Sequence, residues 1–221
     1  MLIRNFNNKH TSDLQKLTAT AIDVQVQINA KSNKNTTDNV ISSIKQVLKF
    51  PNYYIINWKN SGSLILYFNG RYEKYNCNGK LAHRGGVDSK NDTGFYENGH
   101  ILLFINGNAI SFERLVAICT DFTDNCVATD YCKLEANVMD GSGSIYTAYE
   151  LEIPMNFHPD NIEWTTPQEN GRHGYMIREL YKITGHVYRF SAYDNYLVDL
   201  YKQKKFKKLK DYCKRNLFEV R

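Results

Sequence analysis

The sequence predicts an α+β protein made of short β-hairpins and amphipathic helices, with a basic helix near its C-terminal end. Three observations support this fold class. Residues 22–28, IDVQVQI, alternate apolar and polar side chains as a half-buried strand does. The Asn-Gly pairs at 69–70 and 106–107 each separate two short predicted strands, which is the pattern of a tight hairpin turn. Between 194 and 216, apolar residues recur at helical spacing and lysines occupy half of the other positions.

The remaining elements follow from local patterns. Residues 31–37 are polar and predict a loop, and Asp38 is a candidate N-cap for a helix over 39–49 that Pro51 ends. Strands are predicted at 53–57, 64–68, 71–76, 100–105 and 108–113. The stretch 81–99 is rich in Gly, Asp, Asn and Lys, which predicts a long loop and a domain boundary. Residues 114–122 fit either a helix or a strand, and 187–193 fit a strand or a turn.

Composition bounds the class of protein. Of the 221 residues, 42% are hydrophobic and 13% aromatic, which is enough apolar surface for a folded core. No apolar run approaches the roughly 18 residues of a membrane span, and the N-terminus lacks the apolar stretch of a signal peptide. We therefore expect a soluble cytoplasmic protein with no membrane partner. The five cysteines form no CxxC pair, so we expect reduced thiols and no zinc site.

Three segments in the second half of the chain carry motif-like strings. They are GHILLFINGNAISFERLVAICTDF (99–122), ANVMDGSG (136–143) and DNIEWTTPQENGRHG (160–174). Read in this order, they resemble the HNH (His-Me finger, ββα-metal) endonuclease family of phages and mobile introns. The string Asn-Ile-Glu-Trp-Thr-Thr-x-x-Glu-Asn is the most specific part, and the three segments together cover about a third of the chain.

The resemblance implies an embedded ββα-metal motif. In that motif a β-hairpin presents a histidine as the general base, a following helix supplies a metal ligand, and one Mg²⁺ binds the scissile phosphate. Carried over to this sequence, Asn137 and Asn161 fall on the metal-ligand positions and Val138 falls on the catalytic histidine. Asp140 and Gly141 match the turn, and Asp140 is a further, weak candidate ligand.

The C-terminal half of the motif carries further matches. Asn156 falls near the asparagines that link the hairpin, Trp164 matches a core aromatic residue, and His173 matches a terminal histidine. Glu169 and Asn170 match a pair at the start of the helix.

The departures from the family are as informative as the matches. Valine cannot accept a proton, so the family mechanism fails at Val138, with His158 and His173 as weak substitutes for the base. Two neutral asparagines would hold Mg²⁺ weakly or not at all. Glu113 replaces a histidine of the first segment, and residues 123–135 and 142–153 are insertions relative to the family pattern.

The C-terminal segment is strongly basic. It could contact DNA phosphates through its cations, or it could simply be a solvated helix face. The tyrosines between 188 and 212 could stack on bases or pack the helix against the body of the protein. The basic residues are Lys202, Lys204, Lys205, Lys207, Lys208, Lys210, Lys214 and Arg215.

These observations divide the chain into three predicted regions. Residues 1–90 form an N-terminal α+β region, which is either a specificity module or a set of strands that completes the sheet. Residues 91–186 form the HNH-like domain, and residues 187–221 form the basic helical extension. Composition rich in Asn and Lys and poor in Pro fits a phage origin.

Two functions follow as expectations. The first is a metal-dependent DNA endonuclease with a degenerate active site. The second is a catalytically inactive, nuclease-derived factor that binds DNA or a host protein complex, for example as an inhibitor of a host nuclease or defence complex. A chance match of the motif is the remaining alternative. No heptad pattern indicates an oligomer.

Overall fold

The computed structural model describes residues 36–59, 62–87, 95–97, 99–124, 126 and 130–220. The predicted strand at 22–28 lies outside the described residues. The helices are α1 (Thr36–Ser43), α2 (Phe112–Asp124), α3 (Ile145–Glu150), α4 (Pro167–Thr184), α5 (Asn195–Lys202) and α6 (Phe206–Asn216). The strands are β1 (Ile44–Phe50), β2 (Tyr53–Trp58), β3 (Ser63–Tyr67), β4 (Arg71–Tyr75), β5 (Leu81–Gly86), β6 (Phe95–Glu97), β7 (His100–Ile105), β8 (Asn108–Ser111), β9 (Glu135–Val138), β10 (Ile162–Thr165), β11 (Tyr188–Arg189) and β12 (Phe218–Glu219).

Strands β1 to β5 form an antiparallel sheet in sequence order. Side-chain alternation assigns its two faces, because successive residues of a strand point to opposite sides. Ile56 pairs with Leu64 on the face that joins the main core, and Ile55 pairs with Ile65 on the face that forms a smaller cluster with Phe50. The predicted strands at 53–57, 64–68 and 71–76 are therefore confirmed, with small shifts at their ends.

The predicted helix over 39–49 is wrong in its second half. Helix α1 ends at Ser43, and the next seven residues form β1, which turns at 51–52 and pairs with β2. The register is irregular between Ile44 and Gln46, so Ile44 and Val47 both face the main core, and Phe50 is buried on the opposite face. A bulge shifts the side-chain alternation. The resulting spacing of three resembles a helical pattern in the sequence.

The predicted long loop at 81–99 is also wrong in its first part. Residues 81–86 form strand β5, which pairs with β4. A Cβ atom on Gly85 would lie 2.5 Å from the hydroxyl oxygen of Tyr72, so the glycine makes room for this ring. A glycine-rich composition predicts a loop. An edge strand can nevertheless contain a glycine where a neighbouring aromatic side chain covers it.

The hairpin of β7 and β8 is confirmed. Its turn residues Asn106 and Gly107 have φ values of 51° and 78°, the left-handed pair that a type I′ turn requires. Residues 114–122, which fit helix or strand, lie within α2. Buried residues of α2 pack in one cluster with β1 to β4 and with β7 to β9, so residues on both sides of position 90 share a single core.

A second core lies under the C-terminal part of the chain. Helix α4 contributes Met176, Ile177 and Leu180 to it, and α6 contributes Leu209 and Cys213. The predicted strand or turn at 187–193 contains the short strand β11, which pairs with β12 after α6. None of the helices in the described part of the chain is both long enough and apolar enough to span a bilayer.

The single helix predicted over 194–216 is two helices. Helix α5 ends at Lys202 and α6 begins at Phe206, and Lys204 between them has a φ of 54°. Both helices bury apolar residues in the second core, Leu197 and Val198 from α5 and Leu209 and Cys213 from α6. A turn allows the two helices to approach this core in different directions, which one straight helix could not do.

Candidate functional site

The region that carries the motif residues contains two antiparallel strands and a helix. Strand β9 pairs with β10, with Val138 opposite Ile162 and Asn137 opposite Glu163. Helix α4 begins two residues after β10. Thr166 and Glu169 form a reciprocal capping box at its start, and Pro167 occupies the first turn. A capping box satisfies amide groups that the first turn leaves without partners, which fixes where the helix begins.

Val138 lies in the hydrophobic core. Its side chain is 5% exposed, and it packs in the main cluster of the protein. A Cβ atom on Gly143 would lie 2.7 Å from Cγ2 of Val138, so the glycine backbone closes over the valine. This position therefore has neither a proton acceptor nor access to solvent, and it cannot supply a general base.

Asn137 is held by a cross-strand hydrogen bond. Its side chain is buried, and Nδ2 donates to Oε1 of Glu163 at 2.9 Å. Glu163 also accepts from the hydroxyl of Ser191 and from the backbone N–H of Ala192, both at 2.6 Å. This carboxylate thus ties the two strands to the segment that precedes α5.

Asn161 and Asp140 are also buried and serve the local backbone. Asn161 Nδ2 donates to the carbonyl of Asn156 at 2.9 Å, and its Oδ1 has no hydrogen-bond partner among the described residues. Asp140 accepts from the N–H of Ser142 at 2.9 Å and from Nδ2 of Asn156 at 3.4 Å. With Gly141 at a φ of 79°, Asp140 acts as a turn former.

These residues do not fit Mg²⁺. The ion requires near-octahedral oxygen ligands, usually with one or two carboxylates. The carboxylates of Asp140 and Glu163 are both engaged in hydrogen bonds within the protein. What remains is the enclosed amide oxygen of Asn161, which is neutral. No group of three or more His, Cys, Asp or Glu side chains in the described part of the chain is arranged to hold a metal ion.

The two histidines proposed as substitutes for the base lie in different environments. His173 is buried, its Nε2 lies 3.0 Å from the carbonyl oxygen of Phe190, and its ring packs on the Phe190 ring. Burial lowers the pKa of His173. An enclosed imidazole in α4 has no path to a substrate, so this residue has a packing role.

His158 lies at a cleft. The cleft has a volume of about 890 Å³, and its lining includes Asp140, Asn156 and Phe218. His158 is partly exposed, and its Nδ1 accepts from the backbone N–H of Asp160 at 3.3 Å. His158 is therefore a candidate catalytic residue that remains accessible to solvent.

Glu113, which replaces a histidine of the family pattern, forms an ionisable pair with His100 at the start of α2. Nδ1 of His100 is 3.0 Å from Oε1 of the buried Glu113, a close approach without the alignment of a good hydrogen bond. The Glu113 carboxylate raises the pKa of His100 against the opposing effect of burial, and the backbone of Gly143 contributes in the same direction as Glu113. The contact links β7, α2 and the loop that covers Val138.

The predicted DNA-contacting residues are all exposed. Within the described part of the chain, none of them forms an ion pair with an acidic side chain. Between Asp199 and Arg215 there are eight basic and two acidic residues, whereas the whole chain carries a net charge of only +5. The positive charge is therefore concentrated on α6, on the turn before it and on Lys202, the last residue of α5. The exposed residues are Lys202, Lys204, Lys205, Lys207, Lys208, Lys210, Lys214 and Arg215.

Comparisons with protein-family models, with curated proteins and with solved structures found no match to this chain.

Proposed function

We propose that this protein binds DNA through the basic surface of α5 and α6, and that its β9–β10–α4 unit is an HNH-like scaffold that does not cleave. The observation that carries the proposal is the set of eight exposed cations without acidic partners in the described part of the chain. Phosphates are the natural counter-charges for such a surface, since each engaged cation releases condensed counterions from DNA.

Burial and internal hydrogen bonding in the β9–β10–α4 unit support a scaffold without catalytic activity. Val138 is buried where the family has its base, and the carboxylates nearby are engaged in internal hydrogen bonds. The unit is connected to the basic surface, because α4 packs against α6 in the second core. The scaffold thus holds the DNA-binding helices in place.

A salt titration of DNA binding tests the proposal. Lys207, Lys210 and Lys214 lie on the side of α6 that faces away from Leu209 and Cys213, and replacing all three by Gln removes three charges. The matched control replaces Lys45, Lys59 and Lys80 by Gln. These lysines are also exposed, and they lie in or next to strands of the β1–β5 sheet. Each phosphate contact contributes about 0.9 to the slope of log K against log salt concentration, so the slope falls by up to about 2.7.

The control triple variant is expected to keep the wild-type slope. If both triple variants bind DNA like the wild type, or if the wild type shows no salt-dependent binding, the proposed function is wrong.

A second candidate function is an endonuclease in which His158 has taken over the role of the base, a role that requires its Nδ1 to release the N–H of Asp160. The observation in its favour is the solvent access of His158 at the cleft, beside Asp140 and Asn156. The test incubates supercoiled plasmid DNA with Mg²⁺ or Mn²⁺ and the wild type, His158→Ala or Asn161→Ala. Nicking that is lost in His158→Ala supports this candidate, and the absence of nicking by the wild type rejects it.

A further inference from the structure

Exposed tyrosine rings lie beside the basic surface. The structure divides the tyrosines of the C-terminal segment into two groups. Tyr188 is buried, and Tyr201 and Tyr212 are partly buried. Tyr193 is 46% exposed and Tyr196 is 58% exposed. Packing against the body of the protein therefore accounts for only part of the set.

Tyr196 and Tyr212 form a supported pair. Their ring centroids are 5.1 Å apart in an edge-on arrangement. The hydroxyl of Tyr212 donates to Oδ2 of Asp194 at 3.0 Å, which fixes the ring against which Tyr196 leans. No hydrogen bond joins the hydroxyl of Tyr196 to another described residue. Tyr196 is thus positioned by its neighbour and still presents most of its surface to solvent.

Tyr193 is anchored at its tip. Its hydroxyl donates to the carbonyl of Trp164, at 3.1 Å, and so connects the segment before α5 to strand β10. An anchored ring loses little conformational entropy when a ligand stacks on it, because much of its rotamer freedom is already lost. We call Tyr193, Tyr196 and Tyr212 the tyrosine edge.

Cations adjoin the tyrosine edge. Lys208 and Arg215 lie four residues before and three residues after Tyr212 in α6, and residues at these spacings share one side of a helix. Both are exposed. Positive charges therefore lie on both sides of Tyr212 along α6, next to the ring pair that it forms with Tyr196. Proteins that bind single strands combine such cations, which pair with phosphates, with aromatic rings on which bases stack.

The same surface carries few of the groups that read a duplex, Arg215 of α6 and Gln203 before it among them. Direct readout in the major groove uses paired hydrogen bonds from Arg, Asn or Gln to base edges. Four of the eight exposed residues of α6 are lysines, and contacts from lysines to phosphates carry no sequence information. Nδ2 of Asn216, the amide side chain of this helix, donates to the carbonyl of Tyr212. Stacking requires unpaired bases, because the faces of paired bases are covered in a duplex.

We propose that the basic surface selects single-stranded nucleic acid, with bases stacking on Tyr196 and Tyr193, and without sequence preference. This inference rests on the proposed function, because it names the form of nucleic acid that the same surface takes. Lysines supply the salt-dependent part of the affinity, and the tyrosine edge supplies the preference for unpaired strands.

Fluorescence anisotropy with labelled oligothymidylate and with a duplex of equal length tests the proposal. The variant is Tyr196→Ala, Tyr196→Phe is its conservative counterpart, and Tyr149→Ala is the control. Tyr149 is 87% exposed on α3 and belongs to a segment without lysines. Loss of one stacked base lowers affinity for oligothymidylate by roughly 5- to 100-fold in Tyr196→Ala. Duplex affinity stays within about twofold, and Tyr196→Phe and Tyr149→Ala bind like the wild type.

Three results overturn the proposal while leaving DNA binding in place. The wild type binds the duplex at least as tightly as oligothymidylate, Tyr196→Ala leaves both affinities unchanged, or Tyr196→Ala lowers both equally. If instead the wild type binds neither probe, the proposed function itself fails. The Lys207, Lys210 and Lys214 triple variant separates these cases, because it weakens both probes whenever the basic surface is the binding site.

Discussion

The β9–β10–α4 unit and the α5–α6 surface use polar residues in opposite ways. In the first region, Asn137, Asp140 and Glu163 all make hydrogen bonds to other parts of the protein. In the second region, the cations of α6 point to solvent and have no acidic partner among the described residues. The unit that resembles a catalytic motif is thus engaged internally, and the region without a motif is available to a partner.

This difference separates a structural role from a binding role. A buried polar group is stabilising only while its partners remain, so changes in the β9–β10–α4 unit are expected to affect folding. An exposed charge contributes little to folding, so changes on α6 are expected to affect binding alone. The following predictions test this contrast, beginning with the largest expected effect on stability.

Restoring the family histidine is expected to damage the fold. Val138→His places an imidazole in a core position that Gly143 closes, so a polar ring is both desolvated and overpacked. We expect a loss of about 3 kcal/mol in the free energy of unfolding, measured by urea denaturation. The control is Ala82→His, at an exposed position of β5, which is expected to change stability little. A stable Val138→His variant that nicks plasmid DNA would instead show that the site accepts the family mechanism.

Removing the turn carboxylate is expected to cost somewhat less. In Asp140→Ala, the N–H of Ser142 and the amide of Asn156 lose their acceptor in a buried site. The expected loss is about 2 kcal/mol in the free energy of unfolding, since each buried donor left without an acceptor carries a desolvation penalty. Asp211→Ala, an exposed aspartate of α6, is the control and should be nearly neutral. Equal stability of the two variants would contradict the structural role of Asp140.

The His100–Glu113 contact predicts a smaller, pH-dependent effect. The pKa of His100 is raised in the folded protein, so its contribution to stability is fully present below the unfolded value of about 6.5. The contribution is lost as the pH rises through the folded pKa. The stability advantage of the wild type over His100→Gln should therefore be larger at about pH 5.5 than at about pH 8.5, as measured by urea denaturation. An advantage that grows with pH would reverse the assigned sign.

The smallest effect on stability is expected from the lysines. The Lys207, Lys210 and Lys214 triple variant should unfold within about 0.5 kcal/mol of the wild type, because exposed substitutions rarely change stability more. Its DNA affinity should nevertheless fall, as the salt titration measures. A triple variant that is strongly destabilised would show that these side chains support the fold and would weaken the contrast between the two regions.

The parts of the fold that sequence predicted well depend on local chemistry. The turn at Asn106 and Gly107 requires left-handed backbone, and few other residue pairs adopt it so readily, so the β7–β8 hairpin could be predicted. Strand β1 could not, because a bulge together with burial on both faces gave its buried residues a helical spacing. Strand β5 was also missed, because the covering of Gly85 by Tyr72 is a contact between strands.

The candidate site shows the same limit. The resemblance implied two strands followed by a helix. Strands β9 and β10 pair and α4 follows them, with α3 inserted between the two strands, while membership of the HNH family stays a prediction. The motif-like segments did not predict the burial of His173, and the apolar spacing of the C-terminal segment did not predict the exposure of Tyr196. Both depend on how α4, α5 and the segment before α5 pack, which involves residues far apart in the chain.

By itself, the sequence determined the hairpin turns, the absence of a proton acceptor at position 138 and the concentration of positive charge after residue 198. These properties belong to single residues or short segments, so no distant contact can change them. Only the tertiary structure decided that Val138 lies in the core, that Asp140 and Glu163 are engaged by other residues, and that Tyr196 remains exposed beside the lysines. Burial and hydrogen bonding are properties of neighbours in space, and they direct attention from the motif to the basic surface.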